Sequence, residues 1–484
     1  MLTQIADGRT RHTTCPSSSF SPISAFSSCS SFWPRVREFA VPPSMIEKAT
    51  ARRDVGDWAG ACSAANFDVD LSPRAVARTY GRHVAAQLRS DLRHLAPDLL
   101  RWHMPRIAPD GLLRPGLTIA LARYEATDRN GVRPLRLVAR TPPAWADAGQ
   151  RISLALWDGS HTGTGASRHP HPHPHRRFRL DLHRHLWDAR RAGELRVRSG
   201  ADGGPARDPV AVPDALETAL RGRRCAVDRW ADEAAILLQA DGRPSGPVIV
   251  RLGAGRRLVL EPGGTAYPDG GEGPDTYPET GAGAALPVLP DAATWVLPDL
   301  HLIRSGAIEA GRLHPLVAAA LVPGYAPTGP PATSATPRAG EPRIVECRGT
   351  RHRIGLVDGV LVPLDHDPAE VRREELLAAL SGTPMPCLQA IDEAHRRPDG
   401  LTGVRERLDH GDVDGALAVV EGLLGPGALL RDGPLRDELE TAARRRVTHG
   451  LYRAGLIGSA PSPARSEAGT RRDARSHPRH SSTR

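Results

Sequence analysis

The spacing of hydrophobic positions changes along the 484-residue chain, and the changes mark out its parts. Between Met45 and Pro109 apolar residues recur every three to four positions, the pattern of helices with one buried face. Ser72-Pro73 supplies an N-cap and a proline at the first helical position, and Pro97 ends the run that they begin. At 100° per residue Val76, Ala77, Tyr80, Val84, Leu88 and Leu95 share one face of a single helix. Arg74, Arg78, Arg82, Arg89 and Arg93 fall within a sector of about 100° on another face. From Leu112 the period becomes two, and residues 117–124, 133–140 and 152–157 predict an antiparallel meander.

Phe178, Leu180 and Leu182 alternate like a further strand, before a short helix over 185–192 and helices near 213–222 and 226–240. A hairpin is expected at 247–252 and 257–261, a strand at 294–297 and a helix at 306–321. A second hairpin, 353–357 with 360–364, surrounds Asp358-Gly359, and helices follow near 369–381, 386–396, 402–409, 414–424 and 434–456. The fold class is therefore α+β: a helical element over 45–110, a largely antiparallel β domain with helices over 111–322, and a hairpin plus helical domain over 343–458. A Pro/Thr/Ala-rich linker over 323–342 separates the last two.

Both ends differ from this body. Residues 1–44 hold ten serines and four of the six phenylalanines, and are expected to be disordered, a non-native start with Met45 as the true initiator. Residues 459–484 are polar and basic, and are expected to be a disordered tail. No run approaches the ~18 apolar residues of a membrane span, so no membrane partner is predicted.

Composition excludes several chemistries. Lys48 is the only lysine among 64 basic residues, so neither a P-loop nor a kinase strand lysine can be built. Arginine in place of lysine, with abundant Ala, Gly and Pro, points to a GC-rich bacterial source. Cys15, Cys29, Cys62, Cys225, Cys347 and Cys387 contain no C-x-x-C pair, so no zinc ribbon is read and a reducing cytoplasm fits. The formal charge of +9 is concentrated in two body segments as well as the ends. Residues 73–106 have seven arginines against Asp91 and Asp98, and 168–198 have nine against Asp181, Asp188 and Glu194.

Three constellations are candidates for chemistry. His169, His171, His173 and His175 alternate with prolines, read as a flexible insertion whose rings point in different directions. Asp181, His183 and His185 would share one face of a strand, as a carboxylate and two imidazoles on iron or zinc do. Residues 410–421 resemble an EF-hand loop through Asp412, Asp414, Gly415 and Glu421, but His410 occupies the position of the first carboxylate. Gly56-Asp57-Trp58-Ala59-Gly60-Ala61 repeats its Gly-Asp-x-x-Gly-Ala pattern, which favours a joint between helices capped by Asp. Asp365-His366-Asp367 follows a strand and reads as a turn or cap.

No cofactor is predicted. The sequence reads as a non-catalytic cytoplasmic interaction or accessory protein that contacts a protein partner through Arg74, Arg78, Arg82, Arg89 and Arg93. The alternatives are nucleic-acid binding through 73–106 and 168–198, and a metal-dependent enzyme built on the histidine-rich region.

Overall fold

The computed structural model describes residues 32–128, 131–159, 169–203, 220, 224–253, 256–261, 265–268, 286–325, 343–347, 349–357, 360–381, 385–396, 404–424, 430 and 432–456. Helices α1 (Trp33–Phe39), α2 (Pro43–Asp54) and α3 (Trp58–Ala64) precede strand β1 (Phe67–Val69), followed by α4 (Pro73–Tyr80), α5 (Arg82–His94) and α6 (Pro97–His103). A ribbon of β2 (Arg106–Ile107) and β3 (Leu112–Leu113) leads to β4 (Thr118–Asp128), β5 (Gly131–Arg140) and β6 (Ile152–Trp157). Then come α7 (Leu195–Arg198), α8 (Trp230–Ala240), β7 (Val248–Gly253), β8 (Arg256–Leu260), β9 (Ala266–Pro268), α9 (Asp291–Thr294), α10 (Pro298–Arg304) and α11 (Pro315–Leu321). The last part holds β10 (Arg343–Cys347), β11 (Thr350–Val357), β12 (Val360–Pro363), α12 (Pro368–Ser381), α13 (Pro386–Arg396), α14 (Val404–Asp409), α15 (Val413–Leu424) and α16 (Pro434–Ala454).

The α+β class and the meander β4–β5–β6 follow the alternation in the sequence. The period missed β1, which joins β6 in parallel through Phe67↔Ile152 and buries Phe67. It also missed β10, which pairs with β11 from Arg343↔Ile354 to Cys347↔Thr350.

Four expectations are corrected. Residues 32–44 are not disordered: Phe32, Val36, Phe39, Ala40 and Val41 are buried. Arg37 lies between the Trp33 and Trp102 rings at 4.8 and 4.4 Å and donates to Asp299 Oδ2 at 2.8 Å and to the Trp102 carbonyl at 2.7 Å. Residues 1–31, like the tail 457–484, most of the linker (326–342) and the helix near 213–222 except Leu220, lie outside the described residues. The helix read through 73–95 is two helices, because Gly81 at φ +91° and ψ 164° turns the chain in a conformation that a side chain would strain. Residues 178–182 are not a strand, and among the described residues their backbone meets the sheet at the isolated Ala120↔Arg179 bridge. The segment folds inward to bury Phe178, Leu180, Leu186 and Trp187, whose Nε1 donates to the Leu180 carbonyl at 3.0 Å. Finally, the strand expected at 294–297 gives way to the short helix α9, and only Trp295 bridges, to Cys225.

Apolar side chains collect in three main cores. The largest joins α1–α6, β1, β4–β6 and α11; the second packs Trp230 and Leu237 of α8 against β7 and β8; the third joins Ile354 of β11, Ile391 of α13 and helices α14–α16.

One buried cation ties the first core to the third. Arg101, on α6, is fully buried and donates Nε to the Ala40 carbonyl at 2.9 Å, Nη1 to that of Gln150, and Nη2 to that of His410 at 2.8 Å. Burial pulls its pKa down to about 10, opposed by Asp147 and Asp412, so it remains a cation at neutral pH. Beside it Gly411 meets Gly149 backbone to backbone, and a Cβ on Gly149 would come within 2.8 Å of the Gly411 Cα. Replacing Arg101 by Met leaves three inward carbonyls without a donor. At about 1–3 kcal/mol for each buried carbonyl left unsatisfied, it is expected to cost about 3 kcal/mol or more of unfolding free energy, measured by urea denaturation; a loss within about 0.5 kcal/mol, the usual range for a surface change, would contradict it.

Neutral histidines share this interior. Burial pulls the His103 pKa down to about 4 and, with Arg106 and Arg101 adding to it, that of His410 to about 3. Burial and then His183 and Arg198 push His185 well below its ordinary range. In the unfolded chain each titrates near 6.5, so below that pH the unfolded state takes up protons that the native state refuses. Stability is therefore held above about pH 6.5 and lost as pH falls toward 4, by about 2 kcal/mol per histidine between pH 7 and pH 5. Urea midpoints at the two pH values measure the loss, and equal midpoints contradict it.

Candidate functional site

The break at Gly81 divides the arginine face between two consecutive helices, Arg74 and Arg78 on α4 and Arg82, Arg89 and Arg93 on α5. Arg74, Arg78, Arg82, Arg89 and Arg93 are all exposed, and none has a hydrogen bond or ion pair among the described residues. The two carboxylates of the same segment face inward. Asp91 accepts from Tyr124 Oη at 2.8 Å and from Arg184, and Asp98 meets His314 Nε2 at 3.0 Å. Arg74 and Arg82 lie in the first turns of α4 and α5, which hold no acidic residue and where the helix dipole disfavours a cation. Local helix stability does not explain their presence.

The other basic segment is arranged in the opposite way. Arg177 is paired with Asp291 at 2.7 Å, Arg179 with Asp181 at 2.9 Å, Arg184 with Asp188 at 3.1 Å, Arg190 with Asp188 at 3.0 Å, Arg191 with Glu194 at 2.7 Å and Arg198 with Glu233 at 2.6 Å. Arg196 is paired with Asp202. Its charge is met by carboxylates, several of them from outside the segment, and counting along the sequence could not reveal this.

Asp181, His183 and His185 do not meet as a ligand set. Asp181 turns to the Arg179 guanidinium, while His183 faces Glu233 at 3.2 Å and contacts His185 ring to ring at 5.7 Å. Burial alone would raise the Glu233 pKa, but the neighbouring His183 and the Arg198 guanidinium, which donates Nε and Nη2 to its two oxygens at 2.6 Å, bring it down to about 2. The His/Pro tract is not a loose insertion. His169 is buried with its ring on the Thr141 carbonyl at 2.8 Å, and the His171 carbonyl accepts from Thr118 Oγ1 at 2.6 Å, which lays the tract along β4. A polar groove of about 560 Å³ lies between α5, β4 and the end of α8, touching His83, Gln87, Arg123 and Asp241. His83 and Gln87 sit about 100–140° around α5 from the centre of the Arg82, Arg89 and Arg93 face, so the groove is separate from those arginines.

At residues 410–421 the structure forms the helix joint. Asp412 Oδ1 accepts from Gly415 N at 3.0 Å and Oδ2 from Arg407 Nη1 at 2.7 Å. The first copy does the same, with Asp57 accepting from Gly60 N at 2.8 Å and from Arg52 at 3.2 Å. Asp414 and Glu421 are exposed.

One grouping escaped sequence reasoning. Cys347 ends β10, His366 follows β12 and Cys387 begins α13, yet one ligand atom of each lies within 4.8 Å of the others. Eighteen and twenty residues intervene, so no spacing motif announces the group. Asp367 and Asp365 take the capping and turn roles expected of them, Asp367 accepting from Ala369 N at 2.9 Å and Asp365 from Arg353 N at 2.7 Å, and leave His366 facing inward. Burial and the neighbouring Cys347 push the Cys387 thiol up to about 11.

Neither a protein-family model, nor a curated protein, nor a solved structure matches the chain. Its class rests on its architecture: a mixed α+β protein with several small, mainly antiparallel sheets and a helical region after the last strands. Among the described residues no helix is long and apolar enough to cross a membrane.

Because both Asp412 oxygens are already engaged, calcium is expected to leave the melting temperature unchanged, in the wild type and in Glu421→Gln alike. A thermal shift present in the first and absent from the second would establish a calcium loop.

Proposed function

We propose that the chain is a non-catalytic interaction or accessory protein that presents the ridge of Arg74, Arg78, Arg82, Arg89 and Arg93 to an acidic protein partner. The observation that carries this reading is the sorting of charge within one segment: its five exposed arginines have no partner among the described residues, while Asp91 and Asp98 are turned into the core. Guanidinium groups in a row suit bidentate recognition of carboxylates. The internal pairing of 177–198 weighs against the nucleic-acid reading, which needs a broad unneutralised surface. Cys62, Cys225, Cys347 and Cys387 form no disulfide, which agrees with a reducing cytoplasm as its setting.

Replacing Arg78, Arg82 and Arg89 together by Gln tests the reading. Stability is expected to change by no more than about 0.5 kcal/mol per site. Binding of a fluorescent poly-glutamate peptide at low salt is expected to weaken roughly ten-fold, the sum of three exposed pairs at about 0.5 kcal/mol each. Equal peptide binding by both proteins would refute the ridge. Submicromolar binding of duplex DNA at physiological salt, with a steep salt slope, would put the nucleic-acid reading in its place.

A further inference from the structure

We infer that Cys347, His366 and Cys387 form a site for a zinc-class cation that clamps the β10–β12 sheet to helices α12 and α13. The inference is independent of the arginine ridge. Both cysteines are completely buried, the His366 side chain is 5% exposed, and the three ligand atoms lie within 4.8 Å of one another. Tetrahedral zinc, with Zn–S near 2.3 Å and Zn–N near 2.0 Å, holds such atoms about 3.5–3.8 Å apart. Closing the group on a cation therefore needs side-chain shifts of about an ångström.

The environment of His366 points to a ligand independently of the cysteines. Its Nε2 is buried and has no hydrogen-bond partner, an unfavourable state for an imidazole nitrogen. Its Nδ1 faces Glu370 Oε2 at 3.8 Å. A carboxylate on that side favours the tautomer with the proton on Nδ1 and leaves the Nε2 lone pair free, the arrangement that orients metal-bound histidines. His352 stacks on the same ring at 4.0 Å and 15°, and its own Nδ1 is buried and unpartnered, which makes it the next candidate for a fourth position.

Two sulfurs and one imidazole nitrogen select zinc over magnesium or calcium, which require oxygen. On binding, each thiol gives its proton to solvent and its sulfur to the metal, so two protons leave for each cation bound. Burial of both sulfurs makes the cation a cross-link rather than an open catalytic centre. The apolar cluster at this place consists of Cys347, Met385, Cys387 and Leu388 with Val345 and Val371 against it, a small core for three elements, and small cores are where natural domains use a metal.

Cobalt(II) titration of the reduced full-length chain reads the site directly. One cobalt per chain is expected, with a thiolate-to-cobalt charge-transfer band and the intense d–d bands of tetrahedral coordination, displaced by one equivalent of zinc. Cys387→Ser and His366→Gln are expected to weaken binding by roughly a hundred-fold or more, while Cys62→Ser keeps the wild-type spectrum. Circular dichroism of each variant establishes that it is folded, and the wild-type titration stands whether or not the variants fold. Absence of the charge-transfer band with all thiols shown to be reduced would overturn the inference. So would a wild-type spectrum in folded Cys387→Ser, or a Cys347–Cys387 disulfide found by peptide mapping after alkylation in the cell.

Discussion

A guanidinium with no access to water, that of Arg101, is the constraint around which the described parts of the chain are arranged. Its three donors satisfy carbonyls at Ala40, Gln150 and His410, so α1, the loop before β6 and the joint between α14 and α15 must converge on one point. A buried cation tolerates no loss of these acceptors, because its desolvation is offset only by hydrogen bonds and nearby charge. The approach of Gly411 to Gly149 and the neutral state of His410 follow from that convergence. Farther along, α16 lies against the same body: His449 meets the Ala146 carbonyl at 3.0 Å and Asp68 at 3.2 Å, and Arg453 meets Asp70.

Arginine serves two purposes here. Inside, it supplies charges that remain ionised when buried and that reach several acceptors at once: Arg37 between two tryptophans and Asp299, Arg198 on Glu233, Arg184 between Asp91 and Asp188. On α4 and α5 it is left without such partners among the described residues. The two basic segments look alike in the sequence, yet one is largely neutralised by carboxylates and the other exposes most of its guanidinium groups because its own acids are drawn inward. The difference in pairing, rather than the number of charges, separates a structural network from a set of exposed arginines.

The two sites differ in how far the sequence discloses them. The exposed arginines were legible because helix periodicity places Arg74 and Arg78 on one face of α4, and Arg82, Arg89 and Arg93 on one face of α5. The Asp-capped joints at Asp57 and Asp412 were legible for the same local reason, since the cap and the residue it bonds are three positions apart. Cys347, His366 and Cys387 meet only because β10 pairs with β11, β11 with β12, and α13 packs against the sheet. Nothing within any ten-residue window distinguishes them.

The residue pattern by itself determined the periods: a helical start, a meander, two later hairpins and a helical end, together with the absence of a phosphate-binding lysine. These depend on neighbours within a few positions, where backbone geometry dictates which side chains share a face. The tertiary structure decided the rest. It brought residues 32–44 into the core through Arg37 and Asp299, broke the long helix at Gly81, turned Asp181 away from His183 and His185, and joined residues hundreds of positions apart at Arg101. Those outcomes depend on burial and on charges meeting across the fold, and the free energy of a buried charge is set by what surrounds it in space rather than by what precedes it in the chain.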